Sequence, residues 1–506
     1  MSRRRLSGAQ GTALGSYQVI SRLHLEGSVF VLPFQAACIV GAGVVLGAAV
    51  TVSPLIAAAM AAGAFGLGLL TLERRLVTLF LVSLSLGLIG YMFLGRGFAY
   101  AGVPPLFIGE ALLGLAVLCL VYTFSIRHFT FLHILVVLFI AWGFLRTAPF
   151  ITTYGIDALR DAVVWGYALF ALAIAIVVTP KVLQTMMSWY ARLVPYFMVW
   201  VPVVAVTSFV GLVPAWPQSG VSIAEFKQGD IAVQVAGMIA FVVSGMYDAQ
   251  RPNPKLQASI FWLLVIAGFG FVATSRAGTL TVLAGIGAAF FLWPTRQLVP
   301  FIAVMLVVGA LVVAINPNFS VGGYSRQVGP QQIVENVNSL VGTSDSGNLQ
   351  GTRKWREDWW GKVWGYTVDG SYFFGGKGFG VNLAVDDGFE TFSDPPSRSP
   401  HNGHVTILAR MGVPGLALWI AIQLMFGFSI FQAYLRARGA GALFWARLDT
   451  FILIYWMALL INMSFDVYLE GPQGGIWYWS VIGLGLAAIR IQRESLEEPI
   501  APGVKS

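Results

Sequence analysis

The chain has 506 residues, of which 57% are hydrophobic, 13% aromatic and only 11% charged, and its mean hydropathy is +0.76. Soluble globular proteins contain about 25% charged residues, so this composition indicates an integral membrane protein and excludes cytosolic enzymes, disordered chains and collagen-like fibres. The net charge of +8 is therefore not taken as a sign of nucleic-acid binding. Cys38 and Cys119 lie within apolar runs and predict neither a disulfide framework nor a zinc site.

Apolar stretches long enough to cross a bilayer recur along the chain, and hydrocarbon requires such stretches to be helices. Residues 1–28 precede them and contain Arg3, Arg4 and Arg5. No removable signal peptide is recognisable there, so we expect a cytoplasmic tail. The predicted helices number about fourteen, at 29–50, 54–72, 76–94, 106–124, 131–148, 162–179, 193–213, 231–247, 257–275, 277–293, 298–315, 403–434, 448–465 and 476–489.

Lysine and arginine residues decide the predicted orientation, because they collect on the cytoplasmic side. A cytoplasmic N-terminus places the larger share of the 31 Lys and Arg residues inside, including the clusters 436–447 and 490–493. We therefore expect an all-α polytopic membrane protein with both termini in the cytoplasm. Its predicted regions are the N-terminal tail 1–28, a bundle of eleven helices over 29–315, an outer loop 316–401, a bundle of three helices over 402–489 and the C-terminal tail 490–506.

One predicted connection, from Asn316 to Pro400 between the eleventh and twelfth helices, is about 85 residues long and lies on the outer side. It is rich in aromatic residues such as Trp355, Trp359 and Trp360, which favour burial over disorder. Apolar residues recur at helical spacing in 331–340 and 353–366. We expect a large periplasmic helical loop, folded as a cap on the bundle.

Two groups of arginine residues on the outer side are candidates for binding an anion. Arg276 stands at the junction of two apolar runs, where it is either an interfacial residue or part of an anion site. In the cap, Arg353 and Arg356 share one helical face, and Glu357 is placed to pair with Arg353. A solvated, salt-bridged helix is the alternative there, but it would not need so many tryptophans.

The third candidate is the segment His401-Asn402-Gly403-His404 at the start of the twelfth predicted helix. Asn402 is suited to cap that helix. His401 and His404 could bind a metal only with help from upstream carboxylates, and the other histidines fall on the cytoplasmic side, so no metal site is predicted. A single histidine acting as general base is the more economical interpretation. The upstream carboxylates weighed as ligands are Asp386, Asp387, Glu390 and Asp394.

The loop Gly375-Gly376-Lys377-Gly378-Phe379-Gly380 has the glycine content of a phosphate-binding loop but lacks the Lys-Ser/Thr ending of a nucleotide P-loop. A tight turn that returns the cap to the bundle explains it, with Lys377 as an additional candidate phosphate contact. The Asp-x-Asp signature of metal-dependent sugar transferases is absent from the sequence. No cofactor is predicted.

Taken in order, these motifs resemble the O-antigen ligase and Wzy-type polymerase superfamily of GT-C-like membrane glycosyltransferases. The resemblance covers roughly residues 230–430 and rests on the Arg276 junction, the arginine–tryptophan helix, the glycine loop and, most specifically, the string that begins at His401 and ends in Gly412-Val413-Pro414-Gly415. Such enzymes transfer a glycan from undecaprenyl pyrophosphate to an acceptor hydroxyl on the periplasmic side, with inversion and without a metal. The resemblance therefore implies a bacterial inner-membrane enzyme.

The resemblance also implies roles for particular residues. Arg276 and one cap arginine, Arg356 or Arg353, would bind the pyrophosphate, and His401 would be the general base. Guanidinium groups suit the first role because they bind phosphate oxygens bidentately and stay charged. The remaining candidates are Lys377 for phosphate and Asn402, His404, Arg160 and Glu470 for contacts with the glycan.

Three functions are compatible with these features. The leading hypothesis is a polymerase that joins lipid-linked repeat units into exopolysaccharide or O-antigen, which the helix count favours because the ligases typically have twelve. The alternative is a ligase that moves the glycan to lipid A–core or another acceptor. A lipid-linked glycan flippase or transporter is a weaker hypothesis, since nearly all charges fall at helix ends. Expected partners are the lipid-linked donor, the acceptor, membrane lipids and proteins of chain-length control and export, but no nucleic acid.

Overall fold

The structure, a computed structural model, describes residues 75–103, 106–123, 129–251, 257–273, 275–294, 347–390 and 397–497, together with isolated positions between 299 and 328. Apart from Arg75 and Leu76, the described residues belong to one compact unit, 77–506. Several predicted segments lie outside the described residues: the tail 1–28, the helices 29–50 and 54–72, most of the helix 298–315, the cap segment 331–340 and residues 498–506 of the C-terminal tail.

The described part of the chain is almost entirely helical. Short 3-10 helices occupy Arg96–Tyr100, Ala148–Phe150 and Tyr468–Glu470. Two antiparallel pairs of two-residue strands are present, β1 (Gly102–Val103) with β2 (Leu106–Phe107) and β3 (Phe319–Ser320) with β4 (Gln327–Val328). The α-helices are α1 (Arg75–Leu94), α2 (Ile108–Thr123), α3 (Phe131–Thr147), α4 (Ile151–Tyr154), α5 (Ile156–Gly166), α6 (Ala168–Val177), α7 (Pro180–Phe209), α8 (Gln228–Val243), α9 (Met246–Gln250), α10 (Ala258–Val272), α11 (Arg276–Leu292), α12 (Gly347–Thr367), α13 (Leu383–Asp387), α14 (Gly403–Gly439), α15 (Leu443–Met463) and α16 (Pro472–Glu497).

Several of these helices are long and apolar enough to cross a membrane, which confirms the predicted all-α membrane architecture. Within the described residues there are six, and α5 with α6, bent by 43°, would make a seventh if they form one span. The helices α2, α8, α10 and α11 are apolar but shorter. The count of about fourteen spans therefore stays a prediction. The six are Arg75–Leu94, Phe131–Tyr154, Pro180–Ser208, Gly403–Gly439, Leu443–Met463 and Pro472–Leu496.

Several helices differ from their predicted bounds by a few residues, and two differ by eight or more. Hydropathy placed the start of one helix at residue 193, but α7 begins at Pro180, where proline suits the first turn and the Thr179 hydroxyl accepts a hydrogen bond from the Val182 N–H at 3.3 Å. At the other end of the chain, α16 continues through the charged residues to Glu497, beyond the predicted limit at 489. Amphipathic turns extend both helices past their apolar parts, which a hydropathy window does not detect.

The helices α8 and α11 pack side by side. Arg447 contacts the residues that follow both of their C-terminal ends: its guanidinium lies 6.0 Å from the ring centre of Trp293, and its Nε is 3.4 Å from the place of a Cβ on Gly245. Because both helices end near one residue, both begin at the opposite end of the bundle. Arg276, which begins α11, and Lys227, which precedes α8, therefore lie at the same end.

The helix α14 is broken at Gly412, whose φ of 67° is in the left-handed region that favours glycine. Pro414 has no N–H, so the break and the proline leave helix carbonyls without their normal donors. The glycine loop of the cap supplies replacements. The N–H of Lys377 donates to Ala409 at 2.7 Å, the N–H of Gly378 donates to Arg410 at 3.1 Å, and the Val413 N–H donates to the Phe373 carbonyl at 2.8 Å.

Four of the six residues in the loop 375–380 are glycines, because other parts of the chain approach its backbone closely. A Cβ on Gly376 would lie 2.5 Å from the carbonyl carbon of Arg410, and one on Gly378 would collide with the Phe150 ring. The same is true of Gly412, where a Cβ would collide with the Phe373 carbonyl oxygen. The loop therefore acts as the turn that docks the cap on the break in α14, as its sequence predicts.

We expect Gly412→Ala to destabilise the protein by about 1–3 kcal/mol, because alanine is strained at this φ and its Cβ has no space. The matched control is Gly361→Ala, on the cap helix α12, where nothing lies within 4 Å of an added Cβ. That change should be neutral or stabilise by up to about 1 kcal/mol. Unfolding of the purified protein in detergent measures both, and equal effects of the two changes would contradict the docking role of Gly412.

Candidate active site

The carboxylate of Asp466 lies at the centre of a charged cluster at the end of the bundle that contains Arg276 and Lys227. Arg96 donates from Nη2 to Asp466 at 2.5 Å, and Lys227 donates from Nζ at 3.0 Å. Arg96 also forms an ion pair with the buried Asp230 at 2.8 Å. His401 completes the cluster, with its Nδ1 3.7 Å from the Asp466 carboxylate. This group of Arg96, Lys227, Asp230, His401 and Asp466 is called the Asp466 cluster below.

The electrostatic balance of the cluster keeps Asp466 and Arg96 ionised. Burial opposes ionisation of Asp466, but the charge of Arg96, the interaction with His401 and the charge of Lys227 outweigh burial and hold the pKa of Asp466 well below its usual range. Burial alone would lower the pKa of Arg96, whereas the carboxylates of Asp230 and Asp466 raise it. A permanent negative charge therefore faces Nδ1 of His401.

The imidazole of His401 is arranged as a general base would be. The Asp466 carboxylate favours the tautomer with the proton on Nδ1, so the lone pair of Nε2 points away from Asp466. Nε2 lies 2.9 Å from the hydroxyl oxygen of Ser397. The side chain keeps 26% of its surface exposed. His401 is thus held by a carboxylate on one nitrogen and faces an alcohol oxygen with the other.

The backbone of His401 is strained. Its φ of 51° is the one left-handed value among the non-glycine residues that the structure describes. Such conformations cost about 1–3 kcal/mol and persist where the surroundings enforce them, often at functional sites. Here the cap enforces it, because the Trp360 indole donates to the Pro400 carbonyl at 2.8 Å and the Trp355 ring centre lies 5.9 Å from that of His401.

The two candidate arginines of the cap helix α12 differ in their contacts and their exposure. Arg353 pairs with Glu357 at 2.6 Å, and both side chains are about half exposed, as the salt-bridge alternative predicted. Arg356 is half-buried. It precedes Trp360 by one helical turn and therefore shares the face that packs against the segment of His401. Arg356 is thus the less exposed of the two arginines and lies one turn from a residue that contacts the segment of His401.

Arg276 begins α11 at the same end of the bundle as the Asp466 cluster. Ser275 caps this helix, since its hydroxyl accepts a hydrogen bond from the Gly278 N–H at 3.0 Å. The Arg276 side chain is half-buried rather than fully exposed to solvent. This N-terminal capping by Ser275 explains how an arginine is held at the end of an apolar helix.

Lys377, a candidate phosphate contact, takes part in a closed set of interactions within the cap. Its ammonium group pairs with Asp386 and Asp387, each at 2.5 Å, and lies 4.1 Å from the ring centre of Tyr366. Burial opposes its charge, but the hydrogen bonds to the two aspartates raise the pKa of Lys377. The side chain is only 10% exposed. These contacts account for Lys377 as a residue that stabilises the cap.

Asn402 and His404 are both engaged in contacts within the protein. The Asn402 side chain accepts hydrogen bonds from the backbone N–H groups of His404 and Val405 at 2.9 and 3.2 Å, so it caps α14 as predicted. The Trp419 indole donates to Nδ1 of His404 at 2.9 Å, and Nε2 lies 3.1 Å from the Ser464 hydroxyl. Both nitrogens of His404 thus have protein partners, unlike those of a histidine free to bind a glycan.

Arg160 and Glu470 flank a second charged group, centred on the buried Asp161. Arg160 is half exposed and pairs with Asp157 at 3.2 Å, whereas the fully buried Arg410 donates to Asp161 at 3.0 Å. Glu470 accepts a hydrogen bond from the Ser399 hydroxyl at 2.9 Å, and burial raises its pKa. Asp161 and Glu470 contact the segment before His401 through Arg398 and Ser399.

Sequence reasoning missed Arg96, Lys227, Asp230 and Asp466 as site residues. A signal was available: each stands at the end of a predicted apolar helix on the same predicted side as His401. What the sequence does not give is the pairing, because Arg96 and Asp466 are 370 positions apart. Single charges at helix ends are common, and only the fold shows that these four converge.

The described His, Cys, Asp and Glu side chains are the candidate ligands for a metal ion. Among them, no group of three or more His, Cys, Asp or Glu residues is placed to hold a metal ion. Asp394, one of the carboxylates weighed as a ligand, lies outside the described residues. His401 and His404, the two histidines of that hypothesis, contact different partners, Asp466 and Trp419.

One family of known proteins matches part of the chain. The family model described as O-Antigen ligase matches residues 260–420. That range includes Arg276, the described cap residues and His401, and it confirms the resemblance to the O-antigen ligase and Wzy-type superfamily. Members of that family are membrane enzymes of glycosyltransferase type, which supports an enzymatic function for this chain. No curated protein matches the chain.

The depressed pKa of Asp466 predicts how Asp466→Asn changes stability with pH. A carboxylate whose pKa is lower in the folded state stabilises that state fully above its unfolded pKa, near 4, and loses this contribution as the pH falls through the folded value. We therefore expect the wild type to be clearly more stable than Asp466→Asn at pH 6, with a difference that shrinks below about pH 4. Thermal unfolding of both proteins across this range measures it, and a difference independent of pH would contradict the ionised cluster.

Proposed function

We propose that the protein transfers a glycan from a lipid-linked pyrophosphate donor to an acceptor hydroxyl on the periplasmic side of the bacterial inner membrane. In the form we favour it is a polymerase that joins undecaprenyl-pyrophosphate-linked repeat units into exopolysaccharide or O-antigen. Both termini are cytoplasmic in this proposal. The observation that carries it is the arrangement of His401, with Asp466 at Nδ1 and a hydroxyl oxygen at 2.9 Å from Nε2.

The chemistry follows from this arrangement. The acceptor oxygen attacks the anomeric carbon of the donor while the bond from that carbon to the pyrophosphate breaks, and the electron pair leaves with the pyrophosphate. Nε2 of His401 takes the acceptor's proton, and the Asp466 carboxylate stabilises the imidazolium that forms. A single displacement of this kind inverts the anomeric centre.

The leaving group needs positive charge near it. Arg276 and Arg356 are the proposed pyrophosphate ligands, since guanidinium groups bind phosphate oxygens in pairs and stabilise the negative charge that grows on them. Arg276 lies at the end of the bundle that carries His401, and Arg356 lies on the half-buried face of α12 that packs against Pro400. These guanidinium groups supply charge stabilisation in a mechanism that does not depend on a metal.

A ligase that passes the finished glycan to lipid A–core or another acceptor is the second candidate. The description of the matching family as O-Antigen ligase favours it, and the same site chemistry serves both reactions. In the test, the purified protein is placed in lipid nanodiscs and supplied with a lipid-linked glycan fraction. That fraction is extracted from cells that lack this protein. A ladder of product sizes supports the polymerase, whereas a single coupled species formed only with lipid A–core supports the ligase.

A flippase or transporter has less support. Transporters place ionisable groups and broken helices near the bilayer midplane, whereas the Asp466 cluster lies at helix ends, beside residues 94, 228 and 463. Movement of the lipid-linked glycan across vesicles without loss of its pyrophosphate bond, by a protein that forms no new glycosidic bond, would favour transport over our proposal.

Replacing His401 by glutamine should lower the rate of glycan transfer by about 10²–10⁴, the usual contribution of a general base. Glutamine keeps a polar side chain but cannot take the proton. The measurement is product formation from the extracted donor fraction at saturating acceptor. His404→Gln is the matched histidine control and should affect stability more than the rate per folded molecule, because His404 contacts Trp419 and Ser464. Transfer at the wild-type rate by His401→Gln would refute the mechanism.

The two cap arginines make a separate prediction. Arg356→Ala should lower transfer by about 10²-fold, the effect of removing one charged group that stabilises a leaving anion. Arg353→Ala should change it by less than about threefold, because an exposed ion pair such as that with Glu357 contributes little. Lys354→Ala, an exposed charge on the same turn, controls for net charge. A larger loss with Arg353→Ala than with Arg356→Ala would assign pyrophosphate binding to Arg353 instead.

A further inference from the structure

The hydroxyl of Ser397 occupies the position that the acceptor must take. Its oxygen lies 2.9 Å from Nε2 of His401, the atom that receives the acceptor's proton in the proposed reaction. The same hydroxyl lies 3.2 Å from the Ser399 carbonyl oxygen. Nε2 has a single lone pair and accepts a hydrogen bond from one hydroxyl at a time. An acceptor hydroxyl can therefore approach Nε2 only after Ser397 has moved away.

Contacts of the two residues that follow Ser397 hold it in position. Arg398, the next residue, donates to the Gly380 carbonyl at 3.1 Å and lies 3.5 Å from the Asp161 carboxylate. Ser399 is buried and donates to Glu470 at 2.9 Å. These contacts hold the residues between Ser397 and His401 on the bundle and bring the Ser397 hydroxyl back to the imidazole.

Water is the competitor that such an arrangement excludes. A base that can deprotonate a sugar hydroxyl can also deprotonate water, and then the water oxygen would attack the anomeric carbon. That reaction breaks the same bond, sends the same electron pair to the pyrophosphate and gives the proton to the same Nε2, but it yields free glycan instead of a longer or transferred one. Since His401 keeps 26% of its side chain exposed, water has access to this region.

We propose that Ser397 is a specificity-determining residue whose hydroxyl fills the acceptor position at His401 until the acceptor displaces it, and thereby limits hydrolysis of the donor. The inference rests on the proposed glycan transfer. A glycan acceptor binds through many groups at once, so its binding can offset the loss of one hydrogen bond between Ser397 and His401, whereas a water molecule gains too few contacts to do so. The serine thus favours sugar hydroxyls over water without touching the reacting carbon.

The test measures two products from the same donor fraction: free glycan released without acceptor, and transferred glycan with it. Ser397→Ala should raise hydrolysis about five- to tenfold, the factor that corresponds to an ordinary hydrogen bond, while transfer changes little or rises. Ser397→Thr, which keeps the hydroxyl, should restore hydrolysis to the wild-type level. Retained transfer in Ser397→Ala shows that the variant is folded, and Ser397→Gly provides a second variant without the hydroxyl.

Ser464→Ala is the matched control, because it removes a serine hydroxyl that lies 3.1 Å from Nε2 of the other histidine, His404, and leaves the contacts of the Ser397 segment intact. Its hydrolysis should stay at the wild-type level. The double variant Ser397→Ala with His401→Gln should lose the added hydrolysis, since the water route uses the same base. Unchanged hydrolysis in Ser397→Ala and Ser397→Gly, or an equal rise in Ser464→Ala, would overturn the inference. Wild-type transfer by His401→Gln would instead overturn the proposed function.

Discussion

A buried carboxylate determines how the candidate site is built. Burying an ion is costly unless its partners are placed well, and removing one partner leaves an uncompensated charge. Asp466 meets this condition with partners from three distant parts of the chain: Arg96 after α1, Lys227 before α8 and His401 before α14. The same interactions that neutralise Asp466 therefore fix the relative positions of these helix ends. The orientation of the His401 imidazole is a consequence of that requirement.

The cap is held in place by a second constraint, the backbone hydrogen bonds of a broken helix. Gly412 turns the chain out of the helix, and Pro414 removes a donor, so the carbonyls of Ala409 and Arg410 take hydrogen bonds from the glycine loop instead. This connects the cap to α14 only a few turns from His401. The cap helix then brings Trp355 and Trp360 against the segment of His401, and Arg356 with them. The position of the proposed pyrophosphate ligand thus depends on a backbone feature of a membrane-spanning helix.

Much of this fold could be predicted from the sequence, because apolar length and charge placement are local properties. Spacings of a few residues are enough to predict the helices and the folded cap. They also predict that Asn402 caps the N-terminus of α14 and that Arg353 pairs with Glu357. The Asp466 cluster could not be predicted, since it joins residues hundreds of positions apart. The start of α7 at Pro180 was missed because its first turns are amphipathic. The partners of His404, Trp419 and Ser464, likewise come from other turns and helices.

The coupling between Asp466 and His401 is the most direct test of this account, and a double-mutant cycle on the transfer rate measures it. Asp466→Asn, His401→Gln and the double variant are compared with the wild type, each per folded molecule. If Asp466 acts through His401, the two losses overlap and the double variant transfers glycan about as slowly as His401→Gln alone. Losses that simply multiply would show that the two residues act independently and would contradict the account.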